Sequence, residues 1–306
     1  MSLNEPLHDT RALPLQWCLE QRRRNGGAMG RRDGAVAFFD VDGTLVWHDY
    51  EKLSRVKTEK IDAVTQIRPT EAVFEAFRRM RAAGHLTFIC TGRPKSFIVP
   101  SLYELNPDGF VAAAGAHVIV GDTVVRDVSI PEDLLRETVE RFVAAGVDLT
   151  IEGRAQNVEL RPSGAPARFE GSAVAHSVAE FFEVAGDNPF SKFCTNGLTL
   201  AELGPVLPFC EEHYTVADLQ GGAFEFSLKG VNKGTGIEAA LAYLGHGRER
   251  TFAFGDSEND LPMRDAVETF VAMGNALPRV KECADYVTDS ASRDGVVTGL
   301  EHFGLI

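Results

Sequence analysis

The sequence predicts an α/β chain, a doubly wound parallel-sheet core of Rossmann-like type interrupted by an inserted α/β unit. Three observations predict it. Apolar runs of strand length alternate with segments of helical period, the order that builds a parallel sheet with helices on both faces. The runs at 35–39, 86–90 and 251–254 each end in polar residues, as buried strands do where they leave a sheet. More than 140 residues separate Thr91 from Lys233, too many for a connection, so that stretch needs folded structure of its own.

Taken in order, residues 1–33 read as a flexible tail, because five arginines among Asn25, Gly26, Gly27 and Gly30 leave little apolar surface to bury. Residues 35–39 form the first strand. A helix opens near Pro69 and Thr70, puts Val73, Phe74, Phe77 and Met80 on one face, and stops at Gly84. Strand 86–90 follows. In the long stretch come a hairpin around Gly121-Asp122, a helix over 131–145 stopped by Gly146, and alternating segments at 148–151 and 158–161. A second helix over 173–184 and a strand pair at 214–217 and 223–228, turning at Gly221-Gly222, complete it. The chain then gives a helix over 234–244 with Lys233 at its entrance, and strand 251–254. The expected division is a core of 34–129 and 230–306 and an inserted domain of 130–229.

Composition narrows the class. The 306-residue chain is 44% hydrophobic and 25% charged, and it has no run near the roughly 18 apolar residues of a membrane span. Its formal charge of −13 argues against a nucleic-acid footprint, though not against a local pocket for a small anion. Five cysteines without a CxxC pair read as reduced thiols in a cytoplasmic chain.

The polar strand ends carry the chemistry. Asp40 and Asp42 follow the first strand, Thr91-Gly92-Arg93 the second, and Gly255-Asp256-Ser257-Glu258-Asn259-Asp260 the last. Carboxylates converging on one sheet edge repel, so one takes up a proton or a cation binds. An all-oxygen set favours Mg²⁺, which commonly keeps substrate phosphate among its ligands. Lys233 and the Thr91-Gly92 turn suit the oxygens of a phosphoryl group in transfer. Asp40, fixed behind its strand, is the candidate nucleophile. Asp42 points the same way if the chain stays extended, and is the candidate acid and base.

These residues resemble the haloacid dehalogenase-like phosphatases, within them the Cof-like group with a type IIB α/β cap. The likeness lies in DVDGT (Asp40 to Thr44), TGR (Thr91 to Arg93), NKG (Asn232 to Gly234) and GDSENDLPM (Gly255 to Met263), in the family's order, with AMGNA and DGV adding to it over roughly residues 34–301. The resemblance implies Asp40 as nucleophile and metal ligand, and Asp42 as acid/base lending its carbonyl to Mg²⁺. Asp256 becomes a metal ligand, Thr91 and Lys233 hold phosphoryl oxygens, Gly92 and Asn259 belong to the substrate-binding set with Asn259 close to those oxygens, and Asp260 is a supporting carboxylate. Where the family often has Asn-Gly-Ala, this chain has Ala114-Gly115-Ala116.

The expected activity is Mg²⁺-dependent hydrolysis of a small phosphorylated metabolite, such as a sugar phosphate, nucleotide or vitamin phosphate, through an aspartyl-phosphate. A phosphomutase on the same core is the nearest alternative. A phospho-accepting signalling domain fits less well, since such domains are short and lack a late cluster like Asp256 to Asp260. Trp47, His48 and Asp49 read as surface or cap-packing residues, Arg154, Arg161, Arg168 and Glu258 as a solvated face, and His117 as structural. The sequence leaves oligomeric state open.

Overall fold

A computed structural model describes residues 34–47, 68–168, 172–219 and 222–306. The expected tail at 1–33, with His48, Asp49 and Gly221, lies outside the described residues. Two sheets organise the rest. The strands in chain order are β1 (Val36–Phe39), β2 (Leu86–Cys90), β3 (Gly109–Ala112), β4 (His117–Val120), β5 (Thr123–Asp127), β6 (Leu149–Gly153) and β7 (Asn157–Leu160). Then come β8 (Ala173–Ala175), β9 (Phe190–Thr195), β10 (Tyr214–Asp218), β11 (Phe224–Leu228), β12 (Thr251–Gly255), β13 (Thr269–Ala272) and β14 (Tyr286–Val287).

The core sheet has the order β14-β13-β12-β1-β2-β3-β4-β5. It is parallel from β14 to β3, and the hairpin β4-β5 extends it antiparallel at one edge, so the Gly121-Asp122 hairpin belongs to this sheet. Val36, Ala37, Phe38 and Phe39 are all fully buried, as a central strand covered on both faces demands. The helix Glu71–Ala82 begins as expected, with Thr70 Oγ1 accepting from the Val73 amide at 3.3 Å, and turns Val73, Phe74, Phe77 and Met80 inward.

The inserted α/β unit has its own six-stranded sheet, β10-β11-β9-β6-β7-β8, antiparallel except for β7 and β8. One face is apolar: Ile151, Val158, Phe193 and Phe226 pack with Val139 and Phe142 of the helix Glu132–Ala145 and Phe181 of the helix Val178–Ala185. The expected helix over 173–184 is therefore corrected. Its first three residues are β8, paired with β7, and the helix starts only after Ser177, whose side chain accepts from the Glu180 amide. The edge of β7, which pairs Val158, Glu159 and Leu160 with Ala173, Val174 and Ala175, outweighs helical spacing and the weak strand preference of alanine there. The central strand β9 was not expected, since Phe190 and Phe193 of Phe-Ser-Lys-Phe-Cys-Thr are three apart and break the two-residue period of a strand.

Candidate active site

The parallel register sets the site. Phe39 pairs with Phe254 on one side and with Ile89 on the other, so β1, β2 and β12 release their chains side by side. Asp40, Thr91 and Asp256 follow those strands, and the Asp40 amide donates to Phe254 O at 3.0 Å. After Asp40 the chain turns, with the Val46 amide donating to Val41 O at 2.9 Å. Gly43 sits in that turn at φ +90°, and a Cβ on it would lie 2.2 Å from Asp256 Oδ2. Only glycine permits both the backbone conformation and that approach.

Lys233 is the first residue of the helix Lys233–Leu244, whose entry is capped by Asn232. The side chain is fully buried and reaches Asp40 Oδ1 at 2.6 Å and Asp260 Oδ1 at 2.5 Å. Asp260 is fixed from behind, its Oδ2 accepting the amides of Asp256 at 2.9 Å and Ser257 at 3.0 Å. One oxygen each from Asp40, Asp256 and Asp260 lie within 4.8 Å of one another.

Electrostatics state what this arrangement lacks. Three carboxylates face one ammonium. Burial, and then repulsion from Asp260, push Asp40 up to about 7, against the pull of Lys233. Burial, then Asp40 and Asp260, push Asp256 up to about 9. Burial alone lowers a lysine, yet Asp260 and Asp40 outweigh it and hold Lys233 well above its ordinary range. Asp256 Oδ1 is buried without a hydrogen-bond partner. A cation of two positive charges satisfies that oxygen and relieves the repulsion, so the residues fit a hard divalent ion such as Mg²⁺.

Asp42 departs from expectation. The extended chain that would align it with Asp40 is replaced by the turn, and its carboxylate is gripped by Arg93, Nε to Oδ2 at 2.9 Å and Nη2 to Oδ1 at 2.6 Å. Thr91 Oγ1 is engaged by the Arg93 amide at 3.1 Å. Asn259 is close to the Thr91-Gly92 turn: a Cβ on Gly92 would stand 3.8 Å from Asn259 Nδ2. The structure thus brings Asp40, Asp256, Asp260 and Lys233 into one cluster, with Thr91, Gly92, Asn259 and Asp42 around it.

Two residues were missed. Arg93 was legible in TGR, but its pairing with Asp42 depends on the turn. Asn275, in AMGNA, donates to Gly43 O at 2.8 Å and fixes the same turn. Among the minor expectations, Trp47 is exposed, and Glu258 makes only a surface ion pair with Arg279. Arg154 pairs with Asp127, as His117 does on the other oxygen. Arg161 is a correction: it is largely buried on the fully buried Glu159 rather than part of a solvated face, because an enclosed carboxylate requires a cation beside it.

The family model of the haloacid dehalogenase-like hydrolases matches residues 37–300, and the chain belongs to that family. YkrA of Bacillus subtilis (strain 168), named for phosphatase activity, is 28% identical over 287 residues, covering 90% of this chain and 99% of its own. A solved sugar phosphatase of subclass IIB is 27% identical, covers 89% of this chain and all of its own, and superposes with a TM-score of 0.71. A phosphatase from Bacteroides thetaiotaomicron shares the fold, with a TM-score of 0.74 at 24% identity over 92% of this chain and 98% of its own. No helix among the described residues is long and apolar enough to cross a membrane.

Proposed function

We propose that this hydrolase is a Mg²⁺-dependent phosphomonoesterase of small phosphorylated metabolites that works through an aspartyl-phosphate on Asp40. One observation carries the reading: a buried aspartate at a strand end, held 2.6 Å from a buried lysine and crowded by two further carboxylates, one with an orphaned oxygen. Asp40, Asp256 and the Asp42 carbonyl would hold Mg²⁺, which supplies positive charge against the phosphoryl oxygens when bound.

Asp40 Oδ attacks phosphorus as the bond to the leaving oxygen breaks, and Asp42 gives that oxygen its proton. Water then attacks the same phosphorus, Asp42 takes a proton from it, and Asp40 is released with phosphate. Lys233 and Thr91 bind equatorial oxygens, and Asn259 approaches them from the last loop. For the first step Asp42 carries a proton and turns one oxygen from Arg93 to the leaving group; having given that proton up, it is the carboxylate that takes one from water in the second. The inserted cap encloses the substrate and excludes bulk water, which favours small metabolites over folded phosphoproteins.

The test is phosphate release from sugar phosphates, nucleotides and vitamin phosphates, with Mg²⁺ or EDTA, by wild type and Asp40→Asn. Metal-dependent release that vanishes in the variant is the expected outcome. Release at wild-type rate from Asp40→Asn would mean that another residue attacks.

A further inference from the structure

The sheet of the inserted unit turns its helices to one face, and its other face is polar. Two rows of cross-strand neighbours line it: Glu152, Lys192 and Ser227 in one, Thr150, Cys194 and Glu225 in the next. The face is not solvated, for Glu152, Lys192 and Glu225 are 8%, 3% and 5% exposed. At its middle Lys192 Nζ donates to Glu225 Oε2 at 2.8 Å and lies 2.7 Å from Glu152 Oε2 without hydrogen-bond alignment. Glu152 Oε2 is left buried with no hydrogen-bond partner.

This face looks onto the catalytic edge. A Cβ on Gly92, next to Thr91, would stand 3.0 Å from Glu225 Oε2 and 3.8 Å from Asn259 Nδ2. Ser96, four residues after Gly92, donates to Gly153 O at 2.9 Å beside Glu152. Glu225 therefore stands over the turn that binds phosphoryl oxygens in the proposed reaction, where a leaving group must extend.

We infer that Glu152, Lys192 and Glu225 form the subsite that reads the leaving group, and that it selects a polyhydroxylated or amine-bearing group and rejects one with a second negative charge. The inference rests on the phosphomonoesterase reading. Carboxylate oxygens accept from hydroxyl or amine hydrogens, and Lys192 is placed to donate to a hydroxyl oxygen. Two carboxylates outnumber one ammonium, and in a buried setting their excess charge repels an anion and attracts a cation. Glu152 Oε2, already 2.7 Å from the Lys192 ammonium, has a lone pair left to accept from an arriving hydroxyl and is opposed by a carboxylate.

The experiment compares kcat/KM, with Mg²⁺, for sorbitol 6-phosphate and 6-phosphogluconate, linear six-carbon esters differing at one end as CH₂OH or carboxylate. Acetyl phosphate, which carries no hydroxyl to read, is the third probe. Wild type is expected to favour the hexitol phosphate at least tenfold over the phosphogluconate. Glu225→Gln is expected to narrow that ratio at least threefold and to lower the hexitol phosphate more than acetyl phosphate; Glu152→Gln serves if Glu225→Gln loses its cooperative thermal transition. Equal wild-type rates on the two six-carbon esters, or a ratio unmoved in a folded variant, overturn the inference while acetyl phosphate hydrolysis still upholds the phosphatase. Failure with all three probes overturns the phosphatase reading, and the subsite with it.

Discussion

Two buried lysines, each between two carboxylates, make this molecule easiest to understand by contrast. Lys233 lies 2.6 Å and 2.5 Å from Asp40 and Asp260, and Lys192 lies 2.7 Å and 2.8 Å from Glu152 and Glu225. The difference is a third carboxylate. Asp256 joins the core cluster and leaves it short of positive charge, an arrangement that suits the divalent cation and the attacking Asp40 of the proposed reaction. The cap cluster sets two carboxylates against one ammonium, one carboxylate fewer than the core, and offers hydrogen bonds beside its smaller excess of negative charge. Buried ion pairs add little net stability, so the roles proposed for the two clusters concern what they do to a bound ester rather than what they add to the fold.

The comparison is broken first at the core. Asp40→Asn removes a charge and almost no volume, and turnover is expected to fall on the order of a thousandfold or more, as for nucleophile loss in other covalent hydrolases. The thermal transition should persist, because the substitution also removes a repelled charge. Lys233→Met is next: it removes the proposed phosphoryl-binding donor, with an expected loss of about 10²–10³ in kcat, and strands Asp40 and Asp260, about 3–5 kcal/mol of stability. Lys192→Met should cost stability of similar order yet lower acetyl phosphate hydrolysis far less than Lys233→Met does. Paired denaturant melts and acetyl phosphate kinetics decide it, and equal kinetic losses would erase the distinction between the two clusters.

Metal removal sharpens the contrast through pH. Asp40 and Asp256 hold protons to about 7 and 9 in the folded chain, above the ordinary carboxylate value of 3.8. The folded state then binds more protons than the unfolded one, and stability falls as pH rises between roughly 4 and 9. The EDTA-treated protein is expected to melt lower at pH 8.5 than at pH 6. Added Mg²⁺ at one fixed concentration should raise the melting temperature more at the higher pH, where the carboxylates are ionised and bind it more tightly; a concentration a hundred times Kd adds about 2.7 kcal/mol of stability. A Mg²⁺ increment that shrinks with rising pH would contradict the metal assignment.

The two clusters also differ in how far the sequence announced them. Asp40, Thr91, Lys233 and Asp256 each follow or open a regular element, so short contiguous motifs mark them and parallel register brings them together. Their order in the chain was enough for the parallel centre of the core sheet, β12-β1-β2, though not for β13 and β14 at its edge. The Asp42–Arg93 grip was not legible, because it arises from a turn closed by hydrogen bonds rather than from spacing. Glu152, Lys192 and Glu225 sit singly on three strands, tens of residues apart, and only cross-strand register makes them neighbours. The strand at 173–175 escaped for the same reason, being decided by its partner strand, and Arg161 escaped because the enclosure of Glu159, two residues before it, is not marked by any motif.

The smallest expected effect lies at the opposite edge of the core sheet, where β2 begins. His85 Nδ1 accepts the buried Ala35 amide at 3.0 Å, which requires that nitrogen to be unprotonated. Burial, and then Arg250, hold the imidazole below its ordinary 6.5. Here the unfolded chain binds the proton more readily, so this contribution is present above about pH 6.5 and is lost as pH falls below it, opposite in sign to the carboxylate cluster. His85→Ala leaves the Ala35 amide without its acceptor and should cost about 1 kcal/mol. That corresponds to about 2–4 °C for a chain of this kind. Because His85 sits at the strand starts rather than the strand ends, acetyl phosphate hydrolysis and the hexitol-to-gluconate ratio should both hold, which calibrates what a purely structural loss looks like. A ratio that moves with His85→Ala would show that selectivity follows global stability, and the contrast between a reacting lysine and a reading lysine would lose its basis.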